Sequence, residues 1–337
     1  MAAAVQIQQD VNLQHMNTLR LPAQARYFSR FSSLSDLLFL HEAAVQYGVS
    51  MKVLGGGSNV LMAPQIKALV IHPASEKITQ VSRDADYVIV DVDAGMNWHD
   101  WVCASVKYGH GLENLSLIPG TVGAAPVQNI GAYGVEAGEF ILSVTGYQLS
   151  TRQLRTFSAD ECRFGYRDSI FKRELKDDFV ILRVRFALAD TFRPVLSYAP
   201  LNQLNAFDLT PQKLITEVVQ VRRSKLPDPA EIANAGSFFQ NPLVSLSQAA
   251  ALKARYPDMP QYPQASGVKL AAGWLIQECG FKGKAIGPVA MYEKQALVLT
   301  AQDGATLADV KQLQTKVQQA VADTFSVWLH PEPGDFS

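Results

Sequence analysis

The chain has 337 residues, is 48% hydrophobic and 18% charged, and carries a formal net charge of −1. That length implies two or three domains with a sizeable core, and the near-neutral balance excludes bulk attraction to nucleic acid or an anionic membrane. Cys103, Cys162 and Cys279 are far apart and odd in number, which argues against a disulfide framework or a metal-binding pair and for a reducing compartment.

The opening MAAAVQIQQD lacks the basic and apolar regions of a signal peptide. No apolar run approaches the ~18 residues needed to span a membrane, so a cytoplasmic location is expected. Ser33 to Gly48 then reads as a helix: Ser33 caps it, Asp36 sits in its first turn, Leu37, Leu38, Leu40, Ala44 and Val45 supply an apolar face, and Gly48 stops it. Met51 to Leu54 is a short strand running into Gly55, Gly56, Gly57, Ser58 and Asn59. A glycine-rich turn after a strand suits backbone N–H groups around an anion, or simply a tight turn. It is not the dinucleotide fingerprint, whose third glycine would fall at Val60, and no phosphate-loop lysine follows. Ala68 to His72 and Tyr87 to Val92 read as strands. Asn97 to Tyr108 reads as a helix capped by Asn97 and stopped by Gly109.

The next stretch, GLENLSLIPGTVGAAPVQNIGAYG (111–134), holds five glycines, three alanines and two prolines, with almost no charge after Glu113. It is poor as a helix, poor as a strand and too apolar for a solvated linker. Gly and Ala allow main-chain groups to approach a ligand closely, and Gln128 and Asn129 add amides that both donate and accept. It is either a cofactor cradle or a long structural loop under a sheet edge.

Ile141 to Leu149 and Phe179 to Ala187 read as strands. A composition shift near residue 200 precedes helices over Thr210 to Arg223, Leu270 to Cys279 and Leu307 to Phe325, and a strand over Ala296 to Thr300. A domain boundary is expected near residue 205.

Few residues stand out for chemistry. Arg167, beside Tyr166, offers a planar fork for a carboxylate, or an ion pair with Asp168 or Glu161. Ser237, between Gly236 and two phenylalanines, is a capping group or a proton donor. Glu332 lies between two prolines near the chain end, where a carboxylate is usually solvated. Lys225, Lys269 and Lys282 stand near turns where phosphate could meet them. The six histidines show no ligand spacing, so no metal is expected. No GxSxG elbow supports an acyl-serine mechanism.

Several runs together resemble one family, the UDP-N-acetylenolpyruvoylglucosamine reductases. They are LGGGSNVL (54–61), the stretch 111–134, CRFGYRDSIFK (162–172), SKLPDP (224–229), NAGSFFQNP (234–242), VKLAAGWLIQECGFKG (268–283) and QALVL (295–299). They occur in the family's order and span almost the whole chain. Leu196-Ser197-Tyr198 resembles the tyrosine loop of the family's first subtype. The resemblance implies an α+β architecture: a two-lobed FAD-binding fold of the vanillyl-alcohol-oxidase type and a C-terminal α+β substrate-binding domain. The lobes would be 1–75 and 76–205, the second joined by the tail 326–337, with the substrate domain at 206–325. Non-covalent FAD would be held by Gly55, Gly56, Gly57, Ser58, Asn59, Pro119, Gly120, Gly123, Ala124, Gln128, Asn129, Gly131, Ala132 and Tyr133. The stretch 111–134 contains no histidine or cysteine for covalent attachment.

The implied reaction, in peptidoglycan precursor synthesis, passes hydride from NADPH through the flavin to the enolpyruvyl group of UDP-N-acetylglucosamine enolpyruvate. Arg167 would stabilise the developing enolate-like charge, Ser237 would deliver the proton and Glu332 would assist. Tyr166, Tyr198, Lys225, Asn241 and Lys282 would bind substrate. A monomer is expected, with a small-molecule UDP-sugar as its partner. Another non-covalent FAD oxidoreductase of the same fold is the alternative. Two positions depart from the family's pattern: the tail LHPEPGDFS around Glu332, and Tyr292, where the subtype often has histidine.

Overall fold

The computed structural model describes residues 5–337. The chain divides into two compact units. Of the described residues, the first comprises 5–11, Ala25–Gly57 and Lys67–Ser224; the second comprises Asn12–Gln24, Ser58–Ile66 and Lys225–Ser337.

In the first unit a five-stranded antiparallel sheet has the order Gln153–Ser158, Ile141–Gln148, Phe179–Ala189, Tyr87–Asp93, Ile78–Arg83. Its central strand buries Val184, Phe186 and Leu188 at alternate positions, and across an irregularity in its pairing Phe179 and Ile181 join the same core. Helix Trp98–Ser105 lays Trp98 and Trp101 over this sheet, with the Trp101 ring 5.3 Å from that of Phe186. Each fully buried large side chain of this kind stabilises the fold by roughly 1.5–3 kcal/mol. The helix is shorter than expected: beyond Ser105 the chain tightens, and the N–H groups of both Tyr108 and Gly109 reach the Ser105 carbonyl. In a four-stranded sheet Met51–Val53 runs parallel to Gln65–Pro73. Helix Leu34–Tyr47 covers it through Leu37, Leu40 and Ala44. Ser33 and Asp36 form a capping box at its start, and Gly48, at φ 64°, ends it.

The second unit has a four-stranded sheet in the order Ala233–Ser237, Val298–Ala301, Val289–Met291, Ala285–Ile286. Helix Leu307–Phe325 buries Val310, Leu313, Val317, Val321 and Phe325, one stripe at the helical period. Leu19, Leu21 and Leu61 join Phe238, Phe239, Leu275 and Ile276 in the same core. Gly334–Phe336 pairs in parallel with Val60–Met62.

The compact units divide at Ser224, not near residue 205, because helix Pro211–Lys225 packs Leu214 and Val218 against Leu201 and buries Ile215 in the core beside the five-stranded sheet. The tail 326–337 falls within the second unit. Strands Gln24–Phe31 and Gln153–Ser158 and helix Leu246–Arg255 had no counterpart in the sequence reading.

Candidate active site

In the first unit, 111–134 forms neither helix nor strand of any length. It runs through short 3-10 turns at Glu113–Leu115 and Val122–Ala124 to a two-residue strand, Gly131–Ala132. Its turn at 120–123 is held by main chain: Trp98 N–H donates to the Gly120 carbonyl (3.1 Å), Val122 N–H to Met96 (2.8 Å) and Gly123 N–H to Ala94 (2.9 Å). Side chains would not fit here. A Cβ on Gly123 would stand 2.5 Å from Ala94 Cβ, and one on Gly56 would stand 2.8 Å from Gly120 Cα. Gly56 and Gly120 therefore lie backbone to backbone, while Gly55 faces the side chains of Thr121 and Ala124. Leu117 (φ 58°), Asn129 (φ 44°) and Tyr133 (φ 50°) take left-handed conformations that cost ordinary residues energy. At Leu117 the compensation is visible: its N–H donates to His99 Nδ1 at 3.0 Å. That bond requires an unprotonated Nδ1, and burial lowers the His99 pKa accordingly.

The loop bearing Arg167 is sewn to this stretch at alternate residues. Ser169 Oγ donates to the Val127 carbonyl (2.7 Å), Asn129 Nδ2 to the Gly165 carbonyl (3.1 Å), and an Arg167 terminal nitrogen to the Gly131 carbonyl (2.9 Å). Lys172 Nζ in turn holds the Arg167 carbonyl at 2.9 Å. Asp168 pairs with Arg173 at 3.1 Å, and Glu161 serves the capping box of the short helix it sits in. The buried side chain of Asn129 is committed to protein partners: its other donor goes to Glu136 (2.7 Å), and its carbonyl accepts from Gly138 N–H (2.7 Å). Both hydrogens of its amide are thereby spent within the protein.

Two further groups of this unit escaped the sequence reading. Arg222, near the end of helix Pro211–Lys225, buries an Nε atom that has no hydrogen-bond partner among the described residues. Burial lowers its pKa, Tyr133 opposes that shift, and Arg167 adds to it. Its only sequence signal was a basic helix end. Thr121 likewise buries a hydroxyl without a partner, beside Gly55. Tyr166 and Tyr198 are exposed, and Gly134 lies against Ser197 and Tyr198.

In the second unit Ser237 ends the strand Ala233–Ser237 just past an irregularity in its pairing, with Gly236 at φ 63°. Asn234 builds that irregularity. Its amide donates to the carbonyls of Ile232 (2.8 Å) and Pro227 (3.1 Å) and accepts from Gly236 N–H (2.9 Å). The SKLPDP run is thereby fixed to the serine turn. Main-chain bonds from Glu332 N–H to Phe238 (2.8 Å) and from Gln240 N–H to His330 (2.9 Å) place Glu332 beside the residues following Ser237. Asn59 Nδ2 donates to the Glu332 carbonyl at 3.3 Å. Glu332 is half-buried rather than solvated. Asn241 Oδ1 accepts from Ala272 N–H (2.9 Å), starting helix Ala272–Glu278 two residues later than expected. Lys225 and Lys282 are exposed.

Among the described residues no group of three or more His, Cys, Asp or Glu side chains is arranged to hold a metal ion, and no helix is long and apolar enough to cross a membrane.

The family described as an FAD binding domain matches residues 25–152, and the family described as the C-terminal domain of UDP-N-acetylenolpyruvoylglucosamine reductase matches residues 228–334. Together with the fold, these matches define an FAD-dependent oxidoreductase: an FAD-binding domain joined to the C-terminal domain of a reductase. The UDP-N-acetylenolpyruvoylglucosamine reductase of Dechloromonas aromatica is 46% identical over 96% of this chain and 98% of its own. That of Pseudomonas putida is 44% identical over 98% of each chain. The crystal structure of the reductase from Thermus caldophilus superposes with a TM-score of 0.67 at 21% identity, covering 99% of this chain and 100% of its own. The chain belongs to the UDP-N-acetylenolpyruvoylglucosamine reductase family.

Proposed function

We propose that this reductase uses NADPH and non-covalent FAD to reduce the enolpyruvyl group of UDP-N-acetylglucosamine enolpyruvate, yielding UDP-N-acetylmuramate for peptidoglycan synthesis in the cytoplasm. Bound FAD would supply hydride chemistry, accepting from NADPH and donating to the terminal carbon of the enolpyruvyl group. The residues at hand suit such a ligand. Gly55, Gly56 and Gly123 leave bare backbone, and Thr121 offers a buried hydroxyl in need of a partner. Gly57, Ser58 and Asn59 would serve the pyrophosphate. Pro119, Gly120, Ala124, Gln128, Asn129, Gly131, Ala132 and Tyr133 would line the ring and ribityl chain.

Reduction of an enolpyruvyl group places negative charge on the carbon bearing the carboxylate. Arg167 would bind that carboxylate through its planar fork and stabilise the charge as it spreads. Arg222 would add a second positive charge to the same neighbourhood. Ser237 would deliver the proton to the carbanionic carbon, and Glu332 would hydrogen-bond to or orient the groups around it. Tyr198, Lys225, Asn241 and Lys282 would hold the UDP diphosphate and nearby groups, with Tyr166 packed near the reacting carbon.

The observation that supports this reading is the tie from Arg167 to the Gly131 carbonyl at 2.9 Å, which holds the guanidinium proposed to bind the carboxylate against the stretch proposed to line the flavin. The test is anaerobic. NADPH should bleach the yellow protein, and the enolpyruvyl UDP-sugar should then restore the colour. Bleaching without restoration would leave a flavoprotein of another substrate. A protein that stays colourless when FAD is supplied would end the flavin assignment.

A further inference from the structure

Residues 191–197 leave the end of strand Phe179–Ala189 and lead to Tyr198. Among the described residues they make no backbone–backbone hydrogen bond. Their polar tie to the rest of the unit comes from the side chain of Asn114. That amide is 2% exposed and spends both hydrogens at once: Nδ2 donates to the Val195 carbonyl at 2.9 Å and to the Tyr133 carbonyl at 3.0 Å.

The base of this bridge is rigid. Asn114 sits in the 3-10 turn Glu113–Leu115, where Ser116 Oγ donates to the Glu113 carbonyl (2.6 Å), Trp98 Nε1 to the Leu115 carbonyl (2.9 Å) and Gly111 N–H to the Glu113 carboxylate (2.8 Å). One end of the bridge grips a left-handed residue of the cradle, Tyr133. The other grips a segment whose Phe192 and Leu196 pack with Tyr133 around Leu201, Leu214 and Val218. A Cβ added at Gly134 would stand 3.3 Å from Ser197 Oγ and 3.8 Å from Tyr198 Cδ2.

We propose that Asn114 is a positioning residue, a latch that docks the segment 191–198 on the flavin cradle and thereby sets where Tyr198 stands when substrate binds. The proposal rests on the reading of Tyr198 as a substrate contact. A planar amide donates to two carbonyls from one nitrogen without burying a charge. Leucine matches its shape without a donor, and aspartate would set a carboxylate against both oxygens.

The test uses the FAD-loaded full chain. In protein reconstituted to equal flavin content, Asn114→Leu should raise KM for the enolpyruvyl UDP-sugar by ~10-fold or more. Amide hydrogen exchange across 191–198 should speed up by ~10-fold or more. Because the latch acts through Tyr198, the rise in KM should not multiply when Asn114→Leu is combined with Tyr198→Ala. Unchanged exchange at 191–198 would overturn the latch. Fully multiplicative effects in the double variant would overturn its action through Tyr198. An unchanged KM in Tyr198→Ala alone would remove Tyr198 from the substrate site, a failure separate from that of the latch. Should Asn114→Leu not fold, Asn114→Gln keeps both donors but moves them by one methylene. It should raise KM by ~3-fold or more with faster exchange; wild-type values in both measurements would overturn the proposal.

Discussion

Replacing Arg167 by lysine keeps a positive charge and removes the fork. The bond to Gly131 and the bidentate grip on a carboxylate cannot both survive on one ammonium. Arg167→Lys should slow reoxidation of the reduced flavin by the enolpyruvyl substrate by ~10²-fold or more while bleaching by NADPH stays near wild type. Stopped-flow absorbance separates the two steps. Ser237→Ala should show the same split, with a loss of ~10²–10⁴-fold confined to reoxidation. Equal losses in both steps would remove Ser237 as the proton source. At this scale the sequence was partly legible. Arg167 and Ser237 lie inside distinctive runs, GYRDS and AGSFF, which is why the resemblance puts them forward as candidates. Arg222 and Asn114 did not declare themselves. A basic residue at a helix end usually faces water, and one amide in an apolar run has no signature until the two carbonyls it bridges, 19 and 81 residues away in sequence, are placed beside it.

The cradle depends on clearances that a methyl group would close. Gly123→Ala puts a Cβ 2.5 Å from that of Ala94, and the main chain on both sides is hydrogen-bonded in place. Overpacking of this kind costs about 1–3 kcal/mol. Urea unfolding of the apoprotein should show that loss, and FAD affinity should fall with it. The same element is sensitive to acid through His99. Its pKa is lowered from the ordinary 6.5 by burial, and its neutral ring accepts from Leu117 N–H. A histidine that protonates more readily when unfolded stabilises the fold fully above about 6.5 and progressively less as pH falls through its lowered folded value. Burial shifts His41 and His72 in the same direction. Apoprotein stability should therefore drop between pH 7 and pH 5, and His99→Phe should flatten that slope without abolishing it. An unchanged slope would remove His99 from the effect. Helices with caps were the elements best read in advance: Thr306 with Asp309, and Ser33 with Asp36, mark their own starts. The cradle's path was not readable. Its conformation comes from backbone contacts with 94–98 and 55–57, which no local propensity encodes.

At the scale of the whole molecule, the chain passes between the two compact units at Val11, Gln24, Gly57, Ile66 and Ser224. The C-terminal family match, 228–334, covers most of the second unit's last segment but neither of its earlier ones. Those pieces are not accessory. Leu19, Leu21 and Leu61 are at most 2% exposed in its core, and Val60–Met62 supplies the partner strand of Gly334–Phe336. A fragment of 225–337 alone should therefore lack cooperative unfolding by circular dichroism. A sharp transition in that fragment would show the earlier segments to be dispensable. The resemblance announced both families of sequence, but not this interleaving, since contacts across two hundred residues leave no trace in local pattern. Anyone building hybrids between relatives, to exchange their substrate preferences, inherits this arrangement. A single crossover near residue 225 would marry one parent's sheet to another parent's leucines, so a functional chimera needs all three stretches, 12–24, 58–66 and 225–337, taken from the same donor.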